Sequence, residues 1–129
     1  MIRVLVADDH PVVRAVVREL LDETDGFTLV REAVDGREAV DLAMRLHPDV
    51  VLMDVAMPTM SGLEATRLLV GNRPDSRVLM FSAEVRLSVV RAAREAGAGG
   101  FLAKGCRGTD ILRAIRAVSG GKSAWPATT

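Results

Sequence analysis

Five short apolar runs alternate with five amphipathic stretches along this chain. The periodicity predicts strands over 2–7, 27–33, 50–54, 78–82 and 100–103. The third, Val50 to Asp54, is apolar on both faces, as a central parallel strand should be. The run 27–33 carries Thr28, Arg31 and Glu32 between its apolar positions, which predicts a half-wetted edge strand. The intervening stretches have helical spacing. Val13, Val16, Val17, Leu20 and Leu21 form the first apolar face, and Ala39, Val40, Ala43 and Met44 the second. Leu63, Thr66, Leu69 and Val70 form the third, residues 86–96 make the fourth helix, and Ile111, Leu112, Ile115 and Val118 form the fifth face.

Local punctuation agrees with this reading. Pro11 suits a first helical turn, where its missing N–H costs nothing. Pro48 stops the second helix, because it disfavours helix at the residue before it, His47. Gly97 suits the position just past the fourth helix, and Gly120-Gly121 ends the fifth. Strands alternating with helices imply right-handed crossovers, a parallel sheet and helices on both faces. Open sheets of this kind bind ligands at the carboxyl ends of their strands.

The polar residues that close the apolar runs therefore carry the functional information. Asp8 and Asp9 close the first, Asp54 the third, Ser82 the fourth and Lys104 the fifth. Asp8 or Asp9 alone reads equally well as an N-cap for the helix that follows. Asp54 ends an all-apolar strand with no helix start beside it to cap. Three converging carboxylates repel and raise at least one pKa, a penalty that a bound cation removes. Oxygen-only ligation from few protein groups favours Mg²⁺, with Mn²⁺ able to substitute. A carboxylate is also a nucleophile toward phosphorus. Lys104, the Ser82 hydroxyl and backbone N–H groups after Asp54 are suited to the charge on phosphoryl oxygens.

Bulk properties narrow the class. The 129 residues, 49% hydrophobic and 26% charged, make one domain with a real core. A formal net charge of zero gives no support for a nucleic-acid or membrane surface. Lys104 and Lys122 are the only lysines among 17 basic residues, so a compact ammonium at a strand end stands out from an arginine-rich background. The single cysteine, Cys106, excludes an internal disulfide and fits a reducing cytoplasm. No apolar stretch approaches membrane-spanning length.

Over essentially its whole length the sequence resembles a receiver domain of a two-component response regulator. The matching residues are Asp8-Asp9, the stretch Met53-Asp54-Val55-Ala56-Met57-Pro58 with Ser61-Gly62, then Ser82-Ala83, then Gly97-Ala98-Gly99-Gly100-Phe101-Leu102-Ala103-Lys104. The resemblance implies a flavodoxin-like (βα)5 fold, a doubly wound α/β architecture with a five-stranded parallel sheet in the order 2-1-3-4-5. It implies Asp54 as phosphoacceptor, Asp9 as a direct Mg²⁺ ligand, Asp8 as a ligand through water, and the carbonyl of Ala56 in the metal shell. Ser82 and Lys104 would bind the phosphoryl oxygens, and Phe101 matches an aromatic switch position that moves with Ser82. The partners implied are a sensor histidine kinase and a second copy on phosphorylation. DNA would be reached only through a helix-turn-helix domain outside this sequence. On this reading residues 1–121 form the receiver and 122–129 begin a linker.

Two features depart from the common receiver pattern. Gly105 stands where a proline often follows the lysine, an absence shared with the NarL/FixJ (LuxR-type) branch that this sequence also resembles. Phe101 has no hydroxyl, so any switching through it uses packing. Two rival readings remain. An aspartyl-nucleophile phosphatase would want an acid two residues after Asp54, where Ala56 stands. A degenerate receiver would have lost Asp8, Asp9, Asp54 or Lys104, and all four are present. His10 reads as a solvated loop residue, His47 as a helix-end residue, and Cys106 as incidental. Arg86, Arg91 and Arg94 read as a solvated helix face.

Overall fold

The computed structural model describes residues 1–73 and 75–126. The elements run β1 (Ile2–Ala7), α1 (Pro11–Asp22), β2 (Phe27–Ala33), α2 (Gly36–Leu46), β3 (Val50–Asp54), α3 (Gly62–Asn72), β4 (Arg77–Ser82), α4 (Leu87–Ala96), β5 (Gly100–Ala103) and α5 (Gly108–Ser119). The strands form one parallel sheet in the order β2-β1-β3-β4-β5, the order the resemblance implied.

Alternation along each strand builds two cores. Leu5, Val51, Met53, Val78 and Met80 face the layer formed by α2, α3 and α4. Val4, Val6, Val50, Leu52, Leu79 and Phe81 face α1 and α5. Each fully buried Val, Leu or Met contributes roughly 1.5–3 kcal/mol, so both faces of the sheet are driven onto their helices. The polar strand β2 lies at the sheet edge, where Glu32 forms ion pairs with Arg14 and Arg18 of α1.

The helical faces rotate slightly from the expected ones. Val17 and Leu21 are buried on α1, whereas Val16 is 57% exposed and Val12 75% exposed. Met44 and Val70 also reach solvent. Arg86 is the N-cap of α4 rather than its first residue, and Gly97 ends the helix at φ 100°, a left-handed conformation. His47 ends α2 at φ 51°.

The segment after α5 returns to the sheet. Phe101 N–H donates to the Ala124 carbonyl at 2.9 Å and Ala124 N–H to the Gly99 carbonyl at 3.0 Å. Ala124 thus pairs in parallel with Gly100 on the open side of β5. A Cβ on Gly100 would lie 2.6 Å from the Ala124 carbonyl oxygen, so this approach needs glycine. Trp125 packs onto the core beside Phe101, and the Arg94 guanidinium lies 4.5 Å from its ring centroid. Arg86, Arg91 and Arg94 are all exposed, as a solvated face would be, and Arg94 in addition stacks on Trp125.

Candidate phosphoryl and cation site

Register brings the polar residues together. Ala7 pairs with Met53, Asp54 with Phe81, and Ser82 with Ala103, so Asp8, Asp54, Ser82 and Lys104 emerge at one edge of the sheet. The backbone is pinned there by Asp8 N–H to the Ala33 carbonyl at 3.0 Å and Lys104 N–H to the Ser82 carbonyl at 2.8 Å. Gly62 holds the loop after β3 in place. A Cβ on Gly62 would fall 1.8 Å from the carbonyl oxygen of Asp54, and Gly62 N–H donates to the Val55 carbonyl at 2.8 Å.

Asp8, Asp54 and Ser82 are buried, at 1%, 5% and 6% exposure, while Asp9 stays open to solvent. The Lys104 ammonium lies 2.8 Å from Asp8 Oδ2 and 3.3 Å from Asp54 Oδ2. A cavity of about 320 Å³ opens over Asp54 and Lys104 and is lined further by His10, Ala56, Ser82, Glu84 and Arg86.

The electrostatics follow from burial. Burial pushes the Asp54 carboxyl above the usual carboxylate range, and the Asp8 charge adds to this. Lys104 and the backbone N–H of Ala56 oppose the shift without cancelling it. Burial pulls the Lys104 ammonium down, but its contacts with Asp8 and Asp54 outweigh that and hold it above the ordinary lysine value. The sequence predicted a raised carboxyl from crowding; at Asp54 burial comes first and the neighbouring Asp8 charge second.

The donor set fits a hard divalent cation. Asp8, Asp9, His10 and Asp54 each offer one ligand atom, all within 4.8 Å of one another. Asp8 Oδ2 is buried and is held by the Lys104 ammonium at 2.8 Å. Three carboxylates this close, with the Lys104 ammonium shared between two of them, suit an oxygen-seeking cation.

Neither Asp8 nor Asp9 caps α1. Its N-cap is His10, whose side chain makes no cap bond. Instead Asp8 Oδ1 accepts from His10 N–H at 2.9 Å, and Arg14 Nη1 donates to the Asp8 carbonyl at 2.6 Å. Both contacts are local, two and six residues from Asp8, yet apolar periodicity carries no sign of them. The His10 ring is 63% exposed, as a solvated loop residue would be, but its Nδ1 sits 3.0 Å from Asp8 Oδ1. Arg86 pairs with Glu84 at 2.5 Å on the rim. Ser82 Oγ accepts from Glu84 N–H at 3.1 Å, which leaves the hydroxyl proton free to donate elsewhere. Phe101 is only 2% exposed and lies with Val90, Ala93 and Trp125, so its ring already fills the interior. Burial, with Asp110 adding, pushes the Cys106 thiol up, away from thiolate reactivity.

A family model described as the response regulator receiver domain matches residues 4–116. This chain belongs to the response regulator receiver family. The response regulator GacA of Pseudomonas viridiflava is 42% identical over 122 residues, covering 95% of this chain and 57% of that protein. The chain thus spans little more than half the length of such curated relatives. The receiver domain of the response regulator NarL from Mycobacterium tuberculosis superposes with a TM-score of 0.91 at 36% identity, covering 94% of this chain and 98% of that one. A LuxR-family response regulator from Aurantimonas sp. SI85-9A1 superposes with a TM-score of 0.89 at 35% identity, covering 95% and 87%. These relatives place the receiver in the NarL/FixJ branch. Receivers are signalling switches rather than classical enzymes. Among the described residues, no helix is long and apolar enough to cross a membrane.

Proposed function

We propose that this domain accepts a phosphoryl group on Asp54 from a sensor histidine kinase and thereby switches an output surface. The observation that carries the reading is the convergence of Asp8, Asp9, Asp54 and Lys104 at one edge of the sheet, with Ser82 lining the cavity over Asp54 and Lys104. Asp9, Asp54 and the Ala56 carbonyl would hold Mg²⁺ directly and Asp8 through water, with Mn²⁺ able to substitute. When bound, the cation supplies neutralisation of the charge on the phosphoryl oxygens.

The chain's own residues do the rest. An Asp54 carboxylate oxygen attacks phosphorus. The O–P bond forms as the donor's N–P bond breaks, and the histidine nitrogen keeps the electron pair and takes up a proton. Lys104 starts 3.3 Å from Asp54 Oδ2, within reach of a phosphoryl oxygen. Ser82 is free to donate its hydroxyl proton to another. Because Ser82 Oγ also holds Glu84 N–H, movement toward the phosphoryl group draws the β4–α4 loop with it. Phe101 is buried with Val90 and Ala93, so any switch through it would repack the α4–β5 side of the core.

The longer protein implied by relatives such as GacA would be cytoplasmic. It would control transcription through a DNA-binding region outside this sequence. Of the stretch 122–129 expected to begin a linker after the receiver at 1–121, residues 124 and 125 lie back against β5 and the core, and 127–129 fall outside the described residues. Phosphorylation would favour a homodimer.

Acetyl phosphate with Mg²⁺ tests the reading. Intact-mass measurement should show one added phosphoryl group on the wild type and none on Asp54→Asn or in EDTA. Size exclusion should show a larger species only after phosphorylation. A phosphoryl adduct on Asp54→Asn at this site would overturn the assignment.

A further inference from the structure

β5 is the last strand of the sheet, and the chain's own tail covers its outer edge. An uncovered edge strand leaves its N–H and C=O groups open to any other chain. Here Phe101 N–H donates to the Ala124 carbonyl at 2.9 Å, and Ala124 N–H donates to the Gly99 carbonyl at 3.0 Å. The turn that brings the tail back is local. Gly121 takes φ 83°, in the left-handed region, and Lys122 N–H donates to the Ala117 carbonyl at 2.9 Å. Trp125 then bridges two elements. Its ring packs on the core that holds Phe101 of β5, and the Arg94 guanidinium of α4 stands 4.5 Å from its centroid. A cavity of about 410 Å³ beside the tail is bordered by Trp125, Phe101, Leu102 and Val85. Val85 belongs to the β4–α4 loop, so the loop that Ser82 would draw inward borders the tail directly.

Resting on the Asp54 reading above, we propose that residues 122–126 form an autoinhibitory strap, which clamps α4 to β5 in the resting arrangement and is unseated by phosphorylation of Asp54. The strap touches both elements at once. Lys104 follows β5 directly and Ser82 ends β4, so a phosphoryl group held by both pulls on the strand and the loop that flank the strap. A shift of α4 against β5 separates Arg94 from Phe101 and breaks one of the contacts that hold Trp125. The seated tail therefore binds the resting arrangement better than the switched one, and only such a difference moves the equilibrium. Coupling is reciprocal, so loosening the strap eases modification of Asp54. Release bares the edge of β5 and the apolar face around Phe101.

The test adds beryllofluoride, a mimic of the phosphoryl group, with Mg²⁺ to the full chain. Fluorine NMR reads the adduct, and Trp125, the single tryptophan, reads the strap. As the adduct forms, Trp125 emission should shift red and become more open to acrylamide, with neither change in Asp54→Asn. Arg94→Gln removes the cation–π contact and leaves the reporter in place. It should raise the apparent affinity for beryllofluoride by about two- to fivefold, and Trp125→Ala should raise it at least as much. Arg94 is exposed, so its substitution leaves the core intact, and the wild-type emission needs no variant. An adduct with unchanged or blue-shifted emission, or variants that bind beryllofluoride no tighter than the wild type, would overturn the strap while leaving the Asp54 reading standing. Absence of an adduct on the wild type would overturn the Asp54 reading and this inference with it.

Discussion

Lys104 lies closer to Asp8 than to the proposed phosphoacceptor Asp54, 2.8 Å against 3.3 Å. The ammonium is thus shared between two buried carboxylates and is not committed to either. That sharing leaves it free to move toward a new anion on Asp54 without leaving Asp8 wholly unpaired.

Removing Lys104 should expose the cost of this arrangement. Lys104→Met keeps the apolar stem but leaves two buried acids facing each other. Breaking a buried pair in this way costs about 3–5 kcal/mol. Urea unfolding in EDTA should show the loss, and saturating Mg²⁺ should restore much of it by binding the folded state. A variant as stable as the wild type in EDTA would show that Lys104 does not compensate the acids.

Asp54 carries a pH signature. Its folded-state pKa lies above the ordinary carboxylate value, so between those two values the folded chain holds more protons than the unfolded one. Its contribution is therefore most favourable below the unfolded pKa and is lost as pH rises through the folded pKa. In metal-free urea titrations, Asp54→Asn should remove that downward slope and gain on the wild type toward neutral pH. Parallel stability profiles for the two proteins would contradict the burial argument.

Glu32 carries the opposite sign. The hydrogen bond from Arg18 holds its carboxyl below the ordinary value. Its contribution is present above the unfolded pKa and is lost as pH falls through the folded pKa. Glu32→Gln should therefore be less stable than the wild type near neutral pH and should converge with it in acid. A deficit that persists unchanged into acid would remove the ion pairs as its cause.

Gly62 should resist even a methyl group. With a Cβ placed 1.8 Å from the Asp54 carbonyl oxygen, Gly62→Ala must shift the backbone that carries the acceptor. The expected cost is at least the ~1–3 kcal/mol of ordinary overpacking, accompanied by weaker Mg²⁺ binding in calorimetry. Unchanged melting and unchanged Mg²⁺ affinity would show that the loop yields freely.

The returning segment makes a separate prediction. Gly100→Val places atoms against the Ala124 carbonyl and should release residues 122–126 from β5. Trp125 emission should then shift red and become more accessible to a quencher. An emission spectrum identical to the wild type would mean that Trp125 is held by Arg94 and the core without the strand pairing.

Much of this domain was legible in its sequence. Period-2 and period-3.6 apolar patterns reflect which side of each element meets water, so the strands and helices could be read locally. The candidate site was legible for a related reason. In a parallel sheet the strand ends fall on one edge, and Asp8, Asp54, Ser82 and Lys104 each interrupt an apolar run at its end. What local pattern does not encode is rotation and long-range approach. The exposure of Val16, the ring of His10 between two acids and the inward position of Phe101 depend on how separate elements pack. Ala124 met Gly100 because glycine leaves room for a backbone to pair with β5, and no run of apolar residues in a tail of Lys, Ser, Ala, Trp and Pro announces such a bond. Hydrophobic periodicity set the elements, while contacts between chain segments remote in sequence decided the charge balance at Asp54 and the seating of Trp125.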